Sequence, residues 1–259
     1  MSQKSRSPLK DKPLRLPGQS LQEQRQDMWN DKFLPSYLAA VLFAIMAALE
    51  WFRYLRSDPP RPMLMTVVAG IAITVVLWRF FRLRPQMLRL KQGMDGERAV
   101  GQFLERLREQ GYQVFHDVPG DAFNLDHVCI GSAGAFTVET KTWSKPASGN
   151  ARIQFDGQRL LVNGHEPERD VVAQAQAQAR WLARTLQESS GRSIPVQPVV
   201  VFPGWFVEAS PGAHKSVWVM EPKGLPAFLA NEPARLLPED VKLAAFHLSR
   251  YVRTYEHRV

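Results

Sequence analysis

Apolar and polar positions follow three rhythms along this chain of 259 residues. Residues 1–32 show no apolar periodicity. Prolines, serines and glutamines alternate there with Lys4, Arg6, Lys10, Lys12 and Arg15, the pattern of a flexible basic tail. Residues 33–81 then turn almost wholly apolar. Glu50 is the only charged residue from Phe33 to Phe52, and none occurs from Met63 to Trp78. Each stretch reaches the roughly 20 residues that a spanning helix needs, the second once Arg79 snorkels and Phe80 and Phe81 are counted. Residues 53–62 between them are too polar and proline-rich to stay helical, so the pattern predicts a transmembrane helical hairpin. Trp29, Trp51, Tyr54 and Trp78 fall near its ends, where amphipathic rings favour the headgroup layer. Two buried helices of a soluble bundle are the alternative, but such helices keep a polar face and these have almost none.

The third rhythm belongs to an α/β domain over residues 93–259. Residues 82–92 form a basic juxtamembrane linker interrupted by Pro85, and Gly93 and Gly96 break the pattern. Residues 97–109 place Val100, Phe103, Leu104 and Leu107 at helical spacing, with Gly111 as the stop. A strand follows over 112–118. Residues 126–130 and 135–141 read as paired strands around the turn 131–134, and 151–155 with 159–162 read as a second hairpin. A helix over 171–186, strands over 195–202 and 216–220, a short helix over 225–229 and an amphipathic helix over 238–255 complete the series. This succession predicts an α/β fold with a mixed central sheet flanked by helices.

Charge sharpens the division. Residues 1–91 hold 15 Lys and Arg against 6 Asp and Glu, whereas residues 92–259 hold 18 against 19. The basic excess therefore speaks for a membrane surface at the front more than for a polyanion groove in the domain. Arg25 and Lys32 precede the hairpin and Arg79, Arg82, Arg84, Arg89 and Lys91 follow it, against Arg53, Arg56 and Arg61 in its loop. The positive-inside bias then puts both ends in the cytoplasm, making a multi-pass protein of the inner (cytoplasmic) membrane with its soluble domain on the cytoplasmic side and lipid as the partner of residues 33–81. The single cysteine, Cys129, excludes an internal disulfide and reads as a small core residue.

The candidate chemistry lies in the central hairpin. If its strands pair antiparallel across the four-residue turn, Ile130 faces Ala135, Val128 faces Thr137 and Asp126 faces Glu139. Like charges placed opposite each other repel unless a cation lies between them. Alternation along the strand puts Lys141 on the same face as Glu139, giving a D…ExK cluster. Two hard oxygen ligands suit Mg²⁺ (or Mn²⁺), and a neighbouring lysine can orient an attacking water and offset charge developing on a phosphate. A surface hairpin with a simple Glu–Lys pair is the alternative. His116 and His127 lack a metal-binding spacing, and His127 points away from the face of Asp126. Trp143 falls on the site face, where it either covers the sheet end or stacks on a base.

Gly96-Glu97, Leu125-Asp126-His127 and Glu139-Thr140-Lys141, in that order, resemble the nuclease-related domain family NERD, and more broadly the PD-(D/E)xK nucleases, over about residues 93–202. The resemblance implies a restriction-endonuclease-like α/β domain that cleaves phosphodiester bonds of DNA or RNA. It implies Asp126 and Glu139 as metal ligands, Lys141 as the water-orienting cation, and Glu97 and Gln174 as supporting site residues. The near-neutral charge of the domain supports a second expectation: a catalytically inactive module of the same fold that binds nucleic acid or protein at the membrane face. Helix-dipole placement alone would also account for Glu97, and a glutamine-rich helix surface for Gln174.

Overall fold

The computed structural model describes residues 14–56, 61–146 and 151–255. The chain divides into two compact units, one of residues 20–92 and one of residues 93–259 together with the N-terminal segment up to Gln19. Residues 1–13 of the expected tail and residues 57–60 of the hairpin loop lie outside the described residues.

The first unit is helical. It consists of α1 (Gln19–Asp27), a π-helical stretch over Met28–Phe33, α2 (Leu34–Leu55) and most of α3 (Pro62–Leu104). The tail reading is corrected over residues 19–32: leucine, glutamine, glutamate and arginine are good helix formers even without an apolar stripe. α2 and the first half of α3 are long and apolar enough to cross a membrane. Leu38, Leu42, Ile45 and Leu49 on α2, and Val67, Ile71, Leu77 and Phe81 on α3, are all exposed. The Trp51 indole donates to Thr66 Oγ1 at 2.9 Å, and the Arg61 backbone N–H donates to Glu50 Oε2 at 3.1 Å. Glu50 thus accepts at the entry to α3, a use the sequence reading did not give it.

α3 also runs without a break through Pro85, Gly93 and Gly96, where the sequence suggests interruption. A proline removes one helical hydrogen bond at about 3 kcal/mol and a glycine costs about 1 kcal/mol, penalties that strong helix formers on both sides can absorb. Gly96 has a packing reason besides. A Cβ there would overlap the Thr142 side chain, so the bare backbone lets α3 approach the end of the central sheet. The helix tightens into a 3₁₀ stretch over Glu105–Gln110, and Gly111 ends it with φ +86° as the sequence predicts.

The second unit is built on a five-stranded mixed sheet of β1 (Gln113–Pro119), β2 (Asn124–Gly131), β3 (Gly134–Thr140), β6 (Val196–Val201) and β8 (Trp218–Met220), in that spatial order. β1, β2 and β3 are antiparallel neighbours, while β6 joins β3 in parallel and β8 joins β6 in parallel. Between β3 and β6 the chain makes β4 (Arg152–Phe155), β5 (Leu160–Val162) and α4 (Val171–Ser190). β4 pairs with β5 and with β7 (Phe206–Ala209) to form a separate three-stranded sheet. α5 (Leu225–Asn231) and α6 (Pro238–Tyr255) close the fold.

Alternation along β2 and β3 separates two cores. Cys129, Phe136 and Val138 face Val100, Leu104 and Leu107, whereas Val128, Ile130 and Ala135 face Leu182 and Leu186 of α4 and Leu248 of α6. A third core joins the small sheet to the start of α4 through Phe155, Phe202 and Trp205. The mixed α/β architecture agrees with the sequence expectation. The same layering carries α4 over the end of β3, where the acidic residues collect.

Candidate active site

The register of β2 with β3 is the one the turn predicts: Ile130 pairs with Ala135 and Val128 with Thr137. Gly131 also pairs with Gly134, so the turn proper is Ser132-Ala133. The ladder ends at His127 and Val138. Just beyond it, the Thr140 backbone N–H donates to Asp126 Oδ2 at 2.7 Å, holding that carboxylate beside the strand of Glu139. Among the described residues nothing donates to its second oxygen, and Asp126 is half-buried, so Oδ1 keeps free lone pairs.

Glu139 is 5% exposed and fully engaged by neighbours. Its Oε1 accepts from Lys141 Nζ at 2.6 Å and from Gln174 Nε2 at 2.8 Å. Its Oε2 accepts from Gln178 Nε2 at 2.7 Å. Lys141 also donates to Gln174 Oε1 at 3.1 Å, closing a small ring of three side chains. α4 supplies both amides. Asp170 caps that helix by accepting from the Ala173 N–H, and successive turns then aim Gln174 and Gln178 at β3.

Glu97 enters from α3 and interacts electrostatically with Asp117, Glu139 and Lys141. Burial, then the nearby Asp117 and Glu139 charges, push its carboxyl up to about 8. Asp126 is raised well above the usual aspartate range, first by desolvation and then by Glu139 and Glu97. The structure thus gathers all five expected residues, Glu97, Asp126, Glu139, Lys141 and Gln174, around the end of β3. It adds two that sequence reasoning passed over. Gln178 shares a helix face with Gln174, a signal the spacing does carry, whereas Asp117 adopts φ +49° between the His116–His127 and Val118–Leu125 pairs, a backbone detail that no pattern shows.

Among the described residues no three His, Cys, Asp or Glu side chains are gathered closely enough to cage a metal. Asp126 and Glu139 are the carboxylates that could hold a hard divalent ion, which would take its other positions from water.

The histidines form a different arrangement. His116 Nδ1 and His127 Nδ1 lie 2.9 Å apart, His116 Nε2 meets Glu105 Oε1 at 2.8 Å, and Arg108 pairs with Glu105 at 2.6 Å. Burial lowers the pKa of both imidazoles, His127 the more. His127 lies on the opposite sheet face from Asp126, as alternation predicts, and Cys129 is buried with its thiol pushed up to about 12. Trp143 packs its ring 5.2 Å from Phe202 and covers the sheet end.

The order of these acids and this lysine along β2, β3 and α4 can be compared with known proteins. Residues 92–203 match the family model of NERD, the nuclease-related domain. The match agrees with the resemblance carried by Gly96-Glu97, Asp126-His127 and Glu139-Thr140-Lys141, and it contains every residue of the candidate site except the N-terminal contacts considered below. The NERD segment covers β1 to β6 and leaves α1, α2, α5 and α6 outside. An uncharacterized protein of Bacillus anthracis is 37% identical over 57 residues, 20% of this chain and 27% of that relative. The match thus spans about a quarter of the relative's length. No solved structure matches at a significant level.

Proposed function

We propose that this protein is a membrane-anchored, metal-dependent nuclease that hydrolyses phosphodiester bonds of DNA or RNA. The observation that carries the reading is Lys141: its ammonium reaches Glu139 at 2.6 Å and Gln174 at 3.1 Å, beside a second carboxylate held by the backbone of β3.

In this reading Asp126 and Glu139 would hold Mg²⁺ or Mn²⁺, which when bound supplies Lewis-acid stabilisation of the phosphate and a more acidic water. The chain's own groups do the positioning. Gln174 and Gln178 fix both oxygens of Glu139, so its orientation is set before substrate arrives. Lys141, tied at two points, keeps a donor for the attacking water or for a phosphoryl oxygen. Glu97, protonated over much of the neutral range, can hold a proton beside Glu139 and Lys141.

Residues 33–81 would anchor this domain in the inner (cytoplasmic) membrane. The segments on either side of the two apolar helices pack in the same unit, which supports both ends of the hairpin emerging on one side, and the flanking arginines support the cytoplasmic side. A second reading, a silent nucleic-acid or protein-binding module, draws on the balance of 18 basic against 19 acidic residues over 92–259.

Full-length protein in detergent, incubated with labelled single- and double-stranded DNA and RNA with Mg²⁺, Mn²⁺ or EDTA, separates the readings. The nuclease reading expects divalent-dependent cleavage that Glu139→Ala and Lys141→Ala each reduce by about 100-fold or more. Binding without cleavage under every condition would establish the silent module instead.

A further inference from the structure

The candidate site is not contained in the NERD segment. Residues 14–18, which precede the first apolar helix, lie against it. Arg15 Nε pairs with Asp117 Oδ2 at 2.7 Å, with the arginine side chain 10% exposed and the aspartate 1%. The Gly18 backbone N–H donates to the Glu97 carboxylate. Pro17 sits over Gly101 so closely that a Cβ there would overlap it, and Gly18, at φ +69°, lies against Met94. Leu14 packs on the core that contains Val118 and Leu125.

We infer that residues 14–18 are a working part of the acidic site: Arg15 is a positioning residue that holds Asp117, the Gly18 N–H orients Glu97, and the site is complete only with this arm docked. The activity arm of this inference rests on the nuclease reading above. Charge supplies the reason. Asp117 is one of the charges that act on Glu97, and Arg15 is the cation paired with it, as Lys141 is with Glu139. Without Arg15, Asp117 becomes a buried carboxylate with its principal partner gone, a change that displaces neighbours. The arm continues directly into α1 and α2, so the segment that completes the site is also the one that leads into the apolar hairpin.

The test uses the full chain in lipid nanodiscs, comparing the native protein with Arg15→Ala and Arg15→Lys. Hydrogen exchange is followed in three places: residues 14–19, the Glu97 region of α3, and the end of β3 where the Thr140 N–H holds Asp126. Arg15→Ala is expected to speed exchange on the order of tenfold in all three. It is also expected to lower kcat with Mg²⁺ by roughly ten- to 100-fold while nucleic-acid KM stays within about twofold. Arg15→Lys, which keeps the charge and loses the planar fork, is expected to recover most of both. Unchanged exchange at residues 14–19 in Arg15→Ala overturns the inference, and so does a released arm with unchanged exchange at Glu97 and Thr140 and unchanged kcat. A native chain that cleaves nothing overturns the nuclease reading alone; exchange at Glu97 and Thr140 then decides whether the arm orders the acidic cluster.

Discussion

The backbone N–H of Thr140 donates to Asp126 Oδ2 across 2.7 Å, one step past the end of the ladder that joins their strands. A main-chain donor thus holds a carboxylate whose pKa is raised well above its usual range by burial and by Glu139 and Glu97. Ionising this carboxyl costs stability, because desolvation and the neighbouring like charges both oppose it. Asp126→Asn preserves an oxygen for the Thr140 N–H and removes the charge. The expected outcome is cleavage lowered by about 100-fold or more, with stability raised by roughly 1–3 kcal/mol in EDTA at pH 8. Urea unfolding followed by tryptophan fluorescence checks the second half.

Gln178 offers a second test. It is 2% exposed and donates to Glu139 Oε2 at 2.7 Å. Gln178→Leu leaves that oxygen without its protein donor, at a cost of about 1–3 kcal/mol in stability. It also frees Glu139 to turn about its remaining contacts with Lys141 and Gln174. We expect kcat to fall roughly tenfold or more while the affinity for nucleic acid is kept, read by steady-state kinetics beside a binding titration.

The raised carboxyl groups predict a pH dependence with a definite sign. Glu97 moves from 4.5 in the unfolded chain to about 8 in the folded one, so between these values the folded state holds the extra proton. Stability from this group is therefore present at low pH and lost as pH rises through the window. The buried pair His116 and His127 acts oppositely: its lowered pKa values make the folded chain less stable as pH falls below 6.5. From about pH 6.5 to 8 the carboxyl effect stands alone. The melting temperature in EDTA should fall across that interval, and Mg²⁺ should flatten the slope, as measured by differential scanning fluorimetry.

How far these features were legible in the sequence depends on how local their causes are. The register of Ile130 with Ala135 follows from a short turn between β-forming residues, and the bounds of the last helix, Pro238–Tyr255, follow from its proline start and its apolar stripe. Glu139 and Lys141 meet because alternation alone puts them on one face. The parallel pairing of β3 with β6 and the small sheet completed by β7 depend on partners far apart in sequence. Arg15 reaches Asp117 across 102 positions, a contact no spacing rule reveals. The unbroken α3 was misread for a different reason: Pro85 and Gly96 carry helix-breaking signals, which the flanking helix formers outweigh and which, at Gly96, serve close packing on Thr142.

That close packing gives a further prediction. Gly96→Ala puts a methyl group into the Thr142 side chain, forcing α3 away from the end of β3 and displacing Glu97 from the acidic cluster. The expected cost is about 1–3 kcal/mol, far beyond the gain in helix propensity. Denaturant unfolding of Gly96→Ala, with Gly70→Ala as a control where a Cβ meets nothing within 4 Å, checks it.

In the proposed reading, binding of a divalent cation depends on Asp126 and Glu139 together. It is tested most directly by calorimetric titration of Mg²⁺ into the full-length protein at pH 7 in buffers of different ionisation enthalpy. The expected result is one ion per chain, proton release on binding because Glu97 holds a proton beforehand, and loss of the signal in Asp126→Asn and Glu139→Gln. No saturable binding, or binding that survives both substitutions without proton release, would contradict it.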